Sequence, residues 1–204
     1  MNASVPSDSY LTLAQSSEGL YREKGSRFIA YAKPAGSEEA IRDYLEQLRK
    51  AHFSARHICY AWRLGPDKMR WRANDDGEPS GTAGRPMLGQ IDSYGLSDVL
   101  VAVVRYFGGI LLGTGGLTVA YREAASNALA QAETTIRVIT DAFRILYPYE
   151  LTPEIQQLIK EFQPEIINPE YLANCKATFL LPKSRSDAFI QRIGQWPEIG
   201  WEKA

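Results

Sequence analysis

The stretch GLSDVLVAVVRYFGGILLGTGG, residues 95–116, decides the fold of this chain. It contains an apolar run, 99–104, with valine or leucine at five of six positions. Such a run predicts a strand that is buried on both faces. Arg105 follows the run, then two aromatic residues, and then five glycines within nine positions. The pattern therefore predicts a buried strand, a glycine-rich turn and a helix.

The glycines of this turn have two interpretations. Glycine is used where the backbone adopts positive φ or where another group must come close. One interpretation is tight packing of strand, turn and helix. The other is a backbone cradle for an anion, because the first N–H groups of the following helix, predicted over 116–131, are free donors. A P-loop is excluded, since Thr114 and Gly115 stand where it requires Lys and Ser or Thr.

Composition limits the class of protein. The chain has 204 residues, of which 45% are hydrophobic and 23% charged, as in soluble globular proteins. No apolar stretch is long enough for a membrane span, and the first ten residues do not form an export signal. Cys59 and Cys175 lack the spacing of metal ligands. We expect a reduced, cytoplasmic protein.

Positive charge is concentrated in one segment. Residues 49–72 hold seven cations against one anion, Asp67, although the net charge of the whole chain is −1. This bias favours a polyanionic partner, and a basic surface strip without a ligand is the alternative. Three aromatic side chains in or beside this segment are candidates for stacking bases, although core packing is the commoner role: Tyr60, Trp62 and Trp71.

Periodicity predicts two domains, 1–136 and 137–204. In the first, strands are predicted over 10–14, 27–32, 57–64 and 69–73, with a helix after Ser37, a loop over 74–84 and a short helix over 86–91. In the second, strands over 141–147, 165–168, 175–181 and 198–201 alternate with helices opened by Thr152 and Ser186. That order is βαββαβ, which is ferredoxin-like. The predicted fold class is α+β.

The loop NDDGEPSGTAG, 74–84, and His57 are the remaining candidates for chemistry. Asp75, Asp76 and Glu78 offer oxygen ligands for Mg²⁺, but Asp-Asp-Gly sequences are usually turns, and we predict no metal. The loop is polar and flanked by Arg72 and Arg85, so a functional surface is expected there. His57 lacks an identifiable catalytic partner, and a structural role is favoured. No catalytic residue is predicted.

Two long motifs identify a family. RYFGGILLG, 105–113, and DDGEPSGTAGRP, 75–86, resemble the signatures of the IMPACT/YigZ proteins, and KGSRF, 24–28, fits as well. The resemblance covers roughly residues 18–130. The C-terminal part is similar to the ferredoxin-like domain of the bacterial members.

The resemblance implies an N-terminal α/β sandwich like domain IV of elongation factor G and a C-terminal domain like its domain V. Because those domains contact the ribosome and tRNA, it makes RNA or a ribosomal surface the leading partner. Eukaryotic IMPACT relatives regulate translation by competing for an activator of an initiation-factor kinase. They carry a different N-terminal domain, so that mechanism is not expected here.

We therefore predict a non-enzymatic, RNA- or ribosome-associated protein that regulates translation and needs no cofactor. An enzyme acting on a phosphorylated small molecule and a protein-interaction module are the alternatives. Binding should weaken steeply with salt. Arg105 is expected to hold either a phosphate or the loop 74–84, which we call the acidic loop. The predicted phosphate-binding residues are Arg56, His57, Arg63, Arg72, Arg85, Arg105, Gly108, Gly109, Gly113, Thr114, Gly115 and Gly116. The predicted functional loop comprises Asp75, Asp76, Gly77, Glu78, Ser80, Gly81 and Thr82.

Overall fold

The computed structural model describes residues 8–204, and they divide into two units. One unit is formed by residues 10–137, and the other by 138–204 together with Asp8 and Ser9. Most of the segment that was examined for an export signal lies outside the described residues. No helix within residues 8–204 has the length and apolar character needed to span a membrane.

The N-terminal unit is a three-layer arrangement of helices and a sheet. Its elements, including those at the boundary, are β1 (Ser9–Leu13), β2 (Ser17–Glu23), β3 (Ser26–Pro34), α1 (Glu38–Ala51), β4 (His57–Leu64), β5 (Arg70–Asn74), α2 (Gly84–Ser93), β6 (Val99–Tyr106), α3 (Gly113–Ala130) and β7 (Thr134–Val138). Five strands form one antiparallel sheet in the order β2-β3-β6-β4-β5. Helix α1 covers one face, and α2 and α3 cover the other.

Strand β6 lies in the centre of this sheet, as its apolar run predicts. Val99, Val101 and Val103 pack into the core formed with α2 and α3. Leu100, Ala102 and Val104 pack toward α1. All six side chains are fully buried, so the predicted burial on both faces is confirmed. A sheet strand can be apolar throughout only because helices cover both faces.

The sequence predicted the first residue of some helices better than that of others. Helix α1 begins as predicted, because the Ser37 hydroxyl accepts a hydrogen bond from the N–H of Ala40 at 3.2 Å. Helix α3 begins at Gly113, three residues before the predicted position. Strands β2 and β7 were not predicted. All five side chains of β7 are exposed, so they carry no burial pattern.

The second unit has the predicted ferredoxin-like topology. Its elements are β8 (Thr140–Pro148), α4 (Thr152–Phe162), β9 (Glu165–Glu170), β10 (Asn174–Pro182), α5 (Ser186–Ile193) and β11 (Gly200–Lys203). The antiparallel sheet has the order β11-β8-β10-β9, which places the first and third strands of the unit in the centre. Phe143 and Phe179 of the sheet pack against Phe189 of α5 to form the core.

Candidate functional site

A cleft lies at the end of the N-terminal sheet where β4 begins and β6 ends. The strand register pairs His57 with Arg105 at this end. The cleft has a volume of about 180 Å³ and is lined by Arg56, His57, Arg105, Phe107 and Leu111. It therefore joins the first residues of β4 to the glycine-rich turn that follows β6.

Arg105 forms a buried ion pair behind the cleft surface. Its Nη1 donates to both carboxylate oxygens of Glu78, at 2.7 and 2.9 Å, and the Tyr121 hydroxyl donates to Glu78 Oε1 at 2.7 Å. The side chains of Arg105 and Glu78 are only 9% and 3% exposed. Of the two expected roles of Arg105, the structure thus shows the one in which it holds the acidic loop.

Arg105 nevertheless retains unused donor capacity. Its Nε is buried and has no hydrogen-bond partner within the described part of the chain. Its guanidinium carbon lies 5.6 Å from the centre of the Phe107 ring and 5.5 Å from that of Phe28. A buried donor without a hydrogen-bond partner is unfavourable. Binding of a ligand whose acceptor reaches this Nε would therefore be favoured.

The polar network continues to a cysteine that is unsuited to catalysis. The Cys59 thiol donates to the carbonyl of Asp75 at 3.0 Å and contacts the Tyr121 hydroxyl at 3.3 Å. Burial raises the pKa of the Cys59 thiol and also that of the Tyr121 hydroxyl. Both groups therefore stay neutral, and Cys59 lacks the accessible thiolate that a nucleophile requires.

Asp75 uses its carboxylate to organise the acidic loop. Its oxygens accept hydrogen bonds from three backbone N–H groups: those of Gly81, Ala83 and Gly84, at 2.8, 3.0 and 2.8 Å. Two of these donors lie at the start of α2, whose own N-cap residue provides no side-chain bond. Burial alone would raise the pKa of Asp75, but the three hydrogen bonds outweigh it and lower that pKa. Asp75 is thus a helix cap supplied from the preceding loop.

Asp76 and Glu78 point to other partners. The Asp76 carboxylate accepts from the N–H of Ile58 at 2.7 Å and pairs with Arg49 at 3.0 Å, whereas Glu78 binds Arg105. The three carboxylates of the loop therefore do not converge. Within residues 8–204, no three His, Cys, Asp or Glu side chains form a cluster suited to a metal ion.

The remaining loop residues support this geometry. Gly77 and Gly81 adopt positive φ, at +87° and +77°. Thr82 is buried, and its hydroxyl donates to the carbonyl of Pro79 at 2.7 Å. Ser80 is exposed. The loop is consequently held in place by hydrogen bonds to its own backbone, to the start of α2 and to β4.

His57 is oriented by the same loop. Its Nδ1 lies 2.7 Å from the carbonyl oxygen of Asp76. Since a carbonyl only accepts, Nδ1 carries the proton and donates it to this bond. His57 also lines the cleft, so Nε2 is the ring nitrogen that remains available to a ligand.

The glycines of the turn serve different purposes. A Cβ at Gly108 would lie 1.9 Å from the backbone carbon of Gly25, so close packing explains this residue. Gly109 and Gly113 adopt positive φ, at +89° and +70°, in open space. The first turn of α3, which holds its free N–H groups, comprises Gly113, Thr114, Gly115 and Gly116. These four residues do not line the cleft.

The structure does not bring the predicted phosphate-binding arginines together in one place. Arg63 pairs with Val99 at the opposite end of β4, six residues from His57, or about 20 Å along a strand. Its guanidinium binds Asp92 at 2.6 Å and the carbonyl of Lys68. Arg72 lies on the edge strand β5. Arg85 is exposed on α2, where its charge helps to lower the pKa of Asp75. Of Arg56, Arg63 and Arg72, Arg56 lines the cleft and the other two do not, and phosphate binding by these residues stays a prediction.

Ion pairs also reduce the charge of the basic segment. Arg49 binds Asp76, Arg63 binds Asp92, and Arg70 binds Glu38. Arg56 is exposed, and no acidic side chain among residues 8–204 pairs with it. Of the three aromatic stacking candidates, Trp71 is 50% exposed, whereas Trp62 belongs to the core under α1 and Tyr60 packs against that core.

Sequence reasoning missed two residues of the cleft, Phe107 and Leu111. Their side chains are 51% and 83% exposed, and that of neighbouring Ile110 is 55% exposed. The signal was present: these apolar residues stand among glycines, outside any helical or strand period. Apolar side chains in such a loop are not expected to be buried in the core, and exposed apolar side chains that cluster are typical of binding surfaces.

Comparison with known proteins gives a consistent result. The family model described as Impact N-terminal domain matches residues 24–129. The chain is 36% identical over 175 residues to "IMPACT family member YigZ" of Escherichia coli, covering 85% of this chain and 86% of that protein. It is 37% identical over 172 residues to "IMPACT family member" of Haemophilus influenzae, covering 83% and 84%. A solved structure described as "Crystal structure of an hypothetical protein" aligns with a TM-score of 0.75 at 33% identity, covering 95% of this chain and 96% of that one.

Proposed function

This chain belongs to the IMPACT family, and on that premise we propose that it is a binding protein of the translation machinery rather than an enzyme. Its partner is RNA, including the RNA of the ribosome. The cleft of the N-terminal unit anchors a backbone phosphate. A phosphate contact of this kind positions the protein on RNA without reading its sequence.

The observation that carries the proposal is the donor set of the cleft. Arg56 provides a positive charge without an acidic partner among residues 8–204, and Arg105 provides an unsatisfied Nε. The charge of Arg105 is balanced by Glu78, so Arg56 is the main source of positive potential. This arrangement suits one phosphate better than an extended track of phosphates.

The charge distribution changes the expected salt dependence. The sequence alone predicted a steep loss of binding with salt. The slope of log K against log salt is about −0.7 to −0.9 for each phosphate that is neutralised. Because Arg56 is the one cleft-lining cation without an acidic partner among residues 8–204, we expect a slope of about −0.7 to −0.9 for this contact.

A binding role fits the cleft better than catalysis. Cys59 is buried and neutral, and none of the five residues that line the cleft is a nucleophilic Ser, Thr, Cys or Lys. The alternative, an enzyme for phosphorylated small molecules, predicts thermal stabilisation by a nucleotide with Mg²⁺, which is directly measurable.

Cosedimentation of the full chain with ribosomes, and filter binding to ribosomal RNA, test the proposal across a salt series. Arg56→Gln should weaken both associations. Arg72→Gln is the matched control, because Arg72 lies in the same basic segment, is exposed and has no acidic partner within residues 8–204, yet does not line the cleft.

Three results would contradict the proposal. The first is no association with RNA or ribosomes at low salt. The second is an equal loss with Arg56→Gln and Arg72→Gln, which would indicate diffuse surface charge. The third is an association with ribosomes that persists in full after the RNA is digested, which would indicate a protein partner.

A further inference from the structure

We propose that the cleft takes one unpaired nucleotide, whose base stacks on Phe107 while its phosphate contacts Arg56 and Arg105. This inference rests on the proposed function and specifies its ligand: single-stranded RNA rather than the surface of a duplex. The inference gives a role to Phe107 and Leu111, the apolar residues of the cleft, which phosphate binding alone does not explain.

The cleft combines polar and apolar walls in one small volume. Arg56 and Arg105 contribute donors, His57 contributes Nε2 as an acceptor, and Phe107 and Leu111 contribute the apolar surface. A nucleotide has the same division, because its phosphate is anionic and its base has an apolar π-face. Unpaired bases stack on aromatic side chains in many RNA-binding sites, whereas the bases of a duplex are stacked on each other and unavailable.

The Phe107 ring is positioned by a contact with Arg105. The Arg105 guanidinium lies 5.6 Å from the centre of its ring, within the range of a cation–π contact, and half of the Phe107 side chain remains exposed. The next residue is fixed as well, because the N–H of Gly108 donates to the Ser26 hydroxyl at 3.1 Å. Less conformational entropy is therefore lost when a base binds.

The lining also predicts which bases bind. The apolar wall that receives the base consists of Phe107 and Leu111, whose side chains have no hydrogen-bonding group with which to read a base edge. A π-face is common to all four bases. We therefore expect little sequence preference and a clear preference for single strands.

Fluorescence anisotropy with the full chain tests this assignment. The probes are labelled single-stranded oligo(U) and oligo(A) and a blunt duplex of equal length, all at low salt. Phe107→Leu keeps an apolar side chain but removes the aromatic face, and it should weaken single-strand binding about tenfold. Ile110→Ala is the matched control, since Ile110 is exposed in the same loop but does not line the cleft, and it should change affinity less than twofold. Thermal melting of each variant establishes that it is folded.

The outcomes separate this inference from the proposed function. Preference for single strands, lost with Phe107→Leu and kept with Ile110→Ala, supports it. Equal binding of single strands and duplex, weakened by Arg56→Gln but not by Phe107→Leu, overturns it and leaves the proposed function standing. Equal losses with Phe107→Leu and Ile110→Ala also overturn it, because the loop would then act as a nonspecific apolar surface. Failure of every RNA to bind overturns both proposals.

Discussion

The buried ion pair between Arg105 and Glu78 makes the stability of the N-terminal unit sensitive to one atom-for-atom replacement. Glu78→Gln preserves the shape of the side chain and an acceptor for the Tyr121 hydroxyl, but it removes the negative charge. The Arg105 guanidinium, 9% exposed, is then left in the interior without its counter-ion.

The expected loss is large because desolvation is no longer compensated. Removing one partner of a buried pair destabilises a protein by about 3–5 kcal/mol. For a unit the size of residues 10–137, this corresponds to a fall in Tm of about 10–20 °C. The free energy of unfolding of a domain is typically about 5–15 kcal/mol, so Glu78→Gln should remove a substantial fraction of it.

Scanning calorimetry of the full chain measures this effect, with urea unfolding followed by tryptophan fluorescence as a second measurement. The double variant Glu78→Gln with Arg105→Met removes both charges and should recover much of the loss. Glu202→Gln is the control, because Glu202 pairs with Arg144 on the surface, where such pairs contribute at most about 1 kcal/mol. If Glu78→Gln costs no more than Glu202→Gln, Arg105 and Glu78 do not form a desolvated pair.

Three further results are expected. Gly108→Ala should destabilise the N-terminal unit by several kcal/mol in urea unfolding, since its Cβ would lie 1.9 Å from the Gly25 backbone; a change below about 0.5 kcal/mol would contradict that packing. Cys59 and Cys175 are fully buried, and burial also raises the pKa of the Cys59 thiol, so Ellman's reagent should detect no thiol in the native chain and two after denaturation; rapid native labelling would contradict this. Asp75→Asn should cost about 1–2 kcal/mol at pH 7. Because the pKa of Asp75 is lowered on folding, its contribution is present above the unfolded value, about 3.9, and is lost as the pH falls through the folded value; a difference from wild type that persists at pH 2 would contradict a charge effect.

The fold was largely predictable because its strongest signals are local. The apolar run of β6 predicted the central strand, and Ser37 marked the start of α1. The start of α3 was missed, because Gly113 and Gly115 favour a turn by local propensity while the helix here includes them. Strand β7 was missed because it has no buried side to reveal its period.

The site was less predictable because its charges are balanced over long sequence separations. Arg49 meets Asp76, Arg63 meets Asp92 and Arg70 meets Glu38, and these acids lie outside the basic segment of residues 49–72. A count of charges within a sequence window cannot include such partners. For Arg105 the sequence left two roles open, and a count of charges could not decide that it pairs with Glu78, 27 residues away.

Substitutions in the acidic loop therefore cannot by themselves identify a binding site. Asp75 caps α2 and Asp76 orients His57, so changing either residue disturbs the frame that positions the cleft as well as the charge beside it. Loss of RNA binding in such a variant would follow from the altered frame whether or not RNA contacts the loop. Arg56 differs from these residues because it lines the cleft without supporting the fold through an ion pair within residues 8–204. Its replacement should change binding while leaving the melting temperature in place, and this combination separates recognition from stability.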